Sequence, residues 1–184
     1  MRTELFLGID IGSVTIKTAV LDADRRLLAE AYVRIMGDPL NALLTQLKAL
    51  SLQFPENSIK TAGITGSGGK QVAGSLGALF INEILAQSAF AGRFHPDART
   101  IIELGGEDAK LITLVRDKAS GSVKIEDFSM NTACAAGTGS FLDQQANRLH
   151  LTIEEFSNIA LQSKTPPRVA GRCSVFAKSD MIHL

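Results

Sequence analysis

A short pattern occurs twice in this chain. Ile9-Asp10-Ile11-Gly12, an acid between two apolar residues followed by a glycine, returns 93 residues later as Ile102-Glu103-Leu104-Gly105. A lysine keeps the same offset from each acid, Lys17 in the first copy and Lys110 in the second. A match at five positions and in the order of the surrounding elements points to two structurally equivalent halves.

The element order around each copy supports that reading. Glu4 to Ile11 is apolar at nearly every position, as in a strand covered on both faces, and Val14 to Leu21 alternates. The glycine between them predicts a tight hairpin. A third strand is expected over Arg26 to Ile35, a helix from Pro39 to Leu52, a strand over Lys60 to Thr65 and helical segments from Lys70 to Gly92. The second half repeats this with a strand over Ser122 to Met130 and a helix from Gly139 to Leu149, then a helix over Thr152 to Ser163 ended by Pro166-Pro167. Two α/β halves of the order β-β-β-α-β-α are therefore expected, residues 1–95 and 96–184. The second uses less chain after its corresponding helix and reads as incomplete at its C-terminal side.

Each hairpin has the chemistry of a phosphate clamp. A tight turn after a buried strand leaves backbone N–H groups unsatisfied, and glycine lets an anion approach them. Asp10 suits a Mg²⁺ ion held through water, which bridges to phosphate oxygens. Ser13 and Thr15 add hydroxyls, Gly12 the close approach, and Lys17 a positive charge. Gly105, Gly106 and Lys110 occupy the equivalent places in the second copy, where Glu103 could orient an attacking water or assist the metal. Facing across a cleft, the two would grip the ends of a triphosphate. The loop Gly66-Ser67-Gly68-Gly69 fits neither the Walker spacing nor the dinucleotide fingerprint and reads first as a turn, with lining of the nucleotide site as the alternative.

Composition narrows the class. Nineteen Lys and Arg balance nineteen Asp and Glu, so no basic excess draws nucleic acid or an anionic membrane. No apolar run reaches the roughly 18 residues of a membrane span. Two cysteines in 184 residues exclude a disulfide framework and point to thiols in a reducing cytoplasm. Cys134 lies in a loop of small residues just before a helix, where the dipole and free N–H groups favour a thiolate. Cys173 follows a glycine and Arg172. The pair could be metal ligands or buried structural thiols, and only a two-fold dimer would raise two thiols to the four that an iron–sulfur cluster needs. His95, His150 and His183 show no ligand spacing, and the helix after Cys134 carries an apolar stripe of Phe141, Leu142, Ala146 and Leu149, the helical spacing of core residues.

The segments LFLGIDIGSVTIKTAVLD, IIELGGEDAKLI, MNTACAAGTGSFLDQQA and GRCSVFAKSDM together resemble the activators of 2-hydroxyacyl-CoA dehydratases and the related ATPase subunits of benzoyl-CoA reductases. The resemblance implies the ASKHA fold of actin, Hsp70 and the sugar kinases, with ATP and Mg²⁺ bound. It implies a homodimer with one 4Fe–4S cluster held by Cys134 and Cys173 of each subunit. It further implies reduced ferredoxin or flavodoxin as electron donor, and an iron–sulfur dehydratase or reductase of CoA esters as the partner that receives a low-potential electron. The family's ATPase domain continues beyond the equivalent of Leu184 into a glycine-rich adenosine-binding segment, so weak nucleotide binding is expected of this stretch by itself. An ASKHA small-molecule kinase, or a nucleotide-binding regulatory protein without turnover, are the competing readings.

Overall fold

The structure, a computed structural model, describes residues 4–117, 121–131, 138–171 and 173–183. Its two compact units meet in sequence at Ala98 and Arg99, with a short stretch ending at Val123 grouped with the first.

The first unit is a five-stranded mixed sheet with helices on it. Strands β1 (Leu5–Ile11), β2 (Thr15–Leu21) and β3 (Leu27–Arg34) form an antiparallel meander, followed by helix α1 (Pro39–Gln53). Strand β4 (Ile59–Thr65) returns parallel to β1, and after the one-turn α2 (Gly69–Ala73) the two-residue β5 (Leu79–Phe80) pairs parallel to β4. Helix α3 (Glu83–Phe94) closes the unit, and the strand order is β3-β2-β1-β4-β5. The expected helical run from Lys70 to Gly92 is therefore split by β5, too short a strand to leave a periodic signal.

Burial explains why β1 sits centrally. Ile9, Ile11, Ile16, Ile35, Leu43, Ile64 and Ala73 form one core cluster on a single face of the sheet, beneath α1 and α2. Side chains alternate along a strand, so the residues between Ile9 and Ile11, and beside Ile64, must face the other way. That alternation places Asp10 and Thr65 together on the second face. Ile16 and Ile64 are fully buried, and truncating either to alanine would cost roughly 2–5 kcal/mol. Helix α1 begins with Pro39 in its first turn, and the Asp38 carboxylate accepts from the Asn41 N–H at 3.0 Å.

The second unit carries a three-stranded sheet in the order β6-β7-β8, from β6 (Thr100–Leu104), β7 (Ala109–Arg116) and β8 (Val123–Asn131). Helices α4 (Gly139–Arg148), α5 (Ile153–Gln162) and α6 (Ser174–His183) follow. Helix α5 starts on a capping box, in which Thr152 accepts from the Glu155 N–H at 3.1 Å and Glu155 accepts from the Thr152 N–H at 2.8 Å. Leu142 and Leu149, expected in an apolar stripe, stand 42% and 53% exposed. Helix α5 packs on α4, which buries Ala146 of that stripe together with Gln145. No helix among the described residues is long and apolar enough to cross a membrane.

Candidate functional site: two acid-lysine hairpins

Both copies of the sequence pattern fold into the same hairpin. In the first, β1 and β2 pair with Asp10 opposite Lys17, and the turn closes with Gly12 N–H donating to the Thr15 carbonyl at 3.0 Å. In the second, β6 and β7 pair with Glu103 opposite Lys110, and Gly105 N–H donates to the Asp108 carbonyl at 2.9 Å. The acid therefore faces the lysine of the partner strand in each. Lys17 Nζ lies 2.7 Å from Asp10 Oδ2, and Lys110 Nζ lies 2.8 Å from Glu103 Oε2.

Lys17 Nζ and Thr15 Oγ1 both converge on Gly12, within 3.8 and 3.9 Å of where a Cβ there would stand. Asp10, Gly12, Thr15 and Lys17 thus form one cluster. Ser13 follows Gly12 at the exposed loop tip, and the two line a cleft of about 550 Å³ together with Arg34, Ser67, Gly68 and Gln71. The Asp10 carboxylate is divided: Oδ2 is held by Lys17, while Oδ1 is buried with no partner among the described residues. A carboxylate oxygen presented this way fits a hydrated Mg²⁺ ion, which keeps several waters and takes few protein ligands. Among the described residues no three His, Cys, Asp or Glu side chains gather as a ligand set, so such an ion would complete its shell from phosphate and water.

The Gly66–Gly69 loop packs directly on this cluster. Gly68 N–H donates to the Ile11 carbonyl at 2.9 Å. Gly66 has φ +88°, and a Cβ there would lie 2.4 Å from Asp10 Oδ1 and 2.4 Å from the Ile11 carbonyl oxygen. Only glycine fits that position, because the left-handed backbone and the missing space both exclude a side chain. The loop is brought there by the parallel pairing of β4 with β1, which sets Thr65 opposite Asp10.

Hairpin 2 differs in charge. Lys110 is nearly fully buried and bridges two carboxylates, Glu103 Oε2 and Asp108 Oδ1, each at 2.8 Å. Asp108 occupies the position equivalent to Thr15, 93 residues on, and that offset is the signal that could have found it. Lys17, with its side chain 39% exposed, stays open to an incoming anion, whereas Lys110 acts as a brace between acids. Gly105 and Gly106 have a second role: their carbonyls accept from the N–H groups of Gly139 and Ser140 at 2.9 and 2.8 Å. Those are the first two residues of α4, which has no side-chain cap, so the hairpin tip satisfies the helix end.

Cys134 lies outside the described residues, four positions before Thr138. Cys173 is a free, half-buried thiol whose carbonyl accepts from Ala177 N–H at 2.9 Å, which places it at the N-terminal end of α6. It lines a cleft of about 740 Å³ with Val169, Gly171, Phe176 and Asp180.

Comparison with known proteins bears on the family and the fold. The chain is 34% identical over 179 residues to an activator of lactoyl-CoA dehydratase from Anaerotignum propionicum, covering 96% of this chain and 66% of that protein. Its structure is similar to that of component A of (R)-2-hydroxyglutaryl-CoA dehydratase from Acidaminococcus fermentans, with TM-score 0.81, 27% identity and coverage of 98% of this chain and 67% of the other. The activator of 2-hydroxyisocaproyl-CoA dehydratase from Clostridium difficile with bound ADPNP matches equally, with TM-score 0.81, 28% identity and coverage of 97% and 65%. The chain thus spans about two thirds of the length of these relatives. The fold is the actin-like ASKHA fold. A model of the BadF/BadG/BcrA/BcrD ATPase family matches residues 7–184, and this chain belongs to that family.

Proposed function

We propose that this protein is an ATP-hydrolysing activator. In this reading it passes a low-potential electron from a 4Fe–4S cluster to an iron–sulfur dehydratase or reductase of CoA esters. The observation that carries the reading is the link between hairpin 2 and α4. The carbonyls of Gly105 and Gly106, at the tip of hairpin 2, accept from the first two N–H groups of the helix that follows Cys134 in sequence. A change in the hairpin on nucleotide binding or hydrolysis has a direct mechanical route to that helix.

The roles divide as follows. Asp10 orients the hydrated Mg²⁺ through Oδ1, Lys17 holds Oδ2 and meets phosphate charge, and Gly12 gives the anion access to backbone N–H groups. Glu103, held by Lys110, orients the attacking water. The partly exposed, unpaired thiol of Cys173 fits a cluster ligand, and with Cys134 it would give two thiolates per subunit, hence four in a homodimer. The cluster would supply the electron. Reduced ferredoxin or flavodoxin is the proposed donor, and a reducing cytoplasm the proposed setting.

Anaerobic reconstitution with iron and sulfide, read by EPR, iron content and mass in solution, tests the reading. About four irons per dimer are expected, lost in Cys134→Ala and in Cys173→Ala. A folded dimer that takes up no iron would refute the electron-transfer role.

A further inference from the structure

Helix α6 is tied to the chain that precedes it by one side-chain hydrogen bond. The N–H of Ala170 donates to Asp180 Oδ2 at 2.9 Å, a partly buried contact between residues ten positions apart. Asp180 stands in the second turn of α6, and Cys173 stands just before its first residue, with its carbonyl accepting from Ala177 N–H at 2.9 Å. The spacing of Cys173, Ala177 and Asp180 puts all three on one face of the helix. The chain from Ala170 to Cys173 therefore runs along that face, pinned at its far end by the carboxylate. Between them lies the cleft of about 740 Å³ onto which Cys173 opens.

Packing alone does little to hold this turn. Ala177 is the one buried residue of α6 among those described, whereas Val175 and Phe176 are 69% and 65% exposed. Segments with so few buried contacts open easily unless a polar restraint holds them. A backbone N–H bonded to a carboxylate is such a restraint, roughly twice as strong as a bond between neutral groups.

Building on the electron-transfer reading above, we propose that Asp180 is a positioning residue for Cys173. Its carboxylate closes the turn that presents the thiol to the cleft, and so fixes the sulfur where it would bind a cluster iron. The role belongs to the accepted hydrogen bond, so asparagine, which keeps a side-chain carbonyl oxygen, can fill it and alanine cannot. Groups that orient a metal ligand typically change metal affinity by about 10- to 100-fold when removed.

The test follows iron release to a chelator and the EPR line shape of the anaerobically reconstituted protein, in the wild type, Asp180→Ala, Asp180→Asn and Ser179→Ala. Hydrogen exchange of the Ala170 amide is measured on the same proteins without iron. Asp180→Ala releases iron about tenfold faster or more, broadens the EPR signal and loses protection at Ala170. Asp180→Asn restores all three, and Ser179→Ala, at an exposed position of the same helix, matches the wild type. Wild-type iron release from Asp180→Ala, or release from Asp180→Asn as fast as from Asp180→Ala, overturns the role of Asp180 and leaves the cluster reading standing. Should Asp180→Ala fail to fold, the wild type decides, since an unprotected Ala170 amide there also overturns the role. A folded wild type that takes up no iron overturns both.

Discussion

Substituting Gly66 by alanine should damage fold and site together. Three overlaps set the magnitude: the new Cβ would stand 2.4 Å from Asp10 Oδ1, 2.4 Å from the Ile11 carbonyl oxygen and 2.6 Å from the Ile11 carbonyl carbon. Two of the three atoms are backbone of the central strand, so side-chain rotation cannot relieve them. The left-handed φ of +88° adds roughly 1–2 kcal/mol for any residue with a Cβ, and forcing a methyl into packed space costs about 1–3 kcal/mol. The expected loss is therefore about 2–5 kcal/mol, or on the order of 10 °C in melting temperature for a chain of this size. Gly74→Ala is the matched control. It has open space around its Cβ position and an ordinary helical φ of −62°, so a change near zero or a gain of about 0.4–1 kcal/mol is expected. Thermal melts of both variants, with Mg²⁺-ATP binding measured on the folded fraction, make the comparison. Gly66→Ala melting with the wild type and binding Mg²⁺-ATP as well would refute the placement of this loop on Asp10.

The remaining expectations concern the two acid-lysine pairs and the helices of the second unit. Lys110→Met leaves Glu103 and Asp108 facing each other without a cation and should lower stability by about 3–5 kcal/mol in denaturant titration; Lys17→Met, at a more exposed pair, should cost under about 1 kcal/mol. Gly139→Pro keeps a helix start that tolerates proline, since Thr138 is extended at φ −96° and ψ 165°, but removes the N–H that reaches Gly105. Hydrogen exchange in α4 should then stop responding to nucleotide, and a response equal to wild type would show that this bond does not couple them. The Thr152 backbone N–H, and then its hydroxyl, hold the Glu155 carboxyl below the ordinary glutamate range. Its contribution is present above the unfolded-state pKa and is lost as pH falls through the folded one, so α5 should fray on acidification, and Glu155→Gln should remove that acid limb in circular dichroism.

The two hairpins were legible in sequence because their pairing is local. Asp10, Gly12, Thr15 and Lys17 lie within one hairpin, where strand alternation and a glycine turn suffice to bring them together. Thr65 and Gly66 could not be found that way. Their place beside Asp10 depends on parallel pairing between strands separated by a whole helix, and no local period encodes which strands become neighbours. Leu142 and Leu149 fail for the opposite reason: helical spacing identifies a stripe but not what covers it.

The two hairpins share one backbone and differ in what the backbone presents. In the first, a single acid is matched by a single lysine, and the neighbouring position is the hydroxyl of Thr15. In the second, one buried lysine serves two carboxylates, so the cluster keeps a negative charge. Under the proposed reading, a phosphate approaching hairpin 1 would meet a neutral, partly open pair, whereas the residual acid of hairpin 2 would repel an anion unless a cation intervened. The shared backbone geometry thus carries two different charge arrangements. The open lysine and divided carboxylate suit binding of phosphate and metal, whereas the braced acid and the carbonyls tied to α4 suit sensing of what is bound and passing it on.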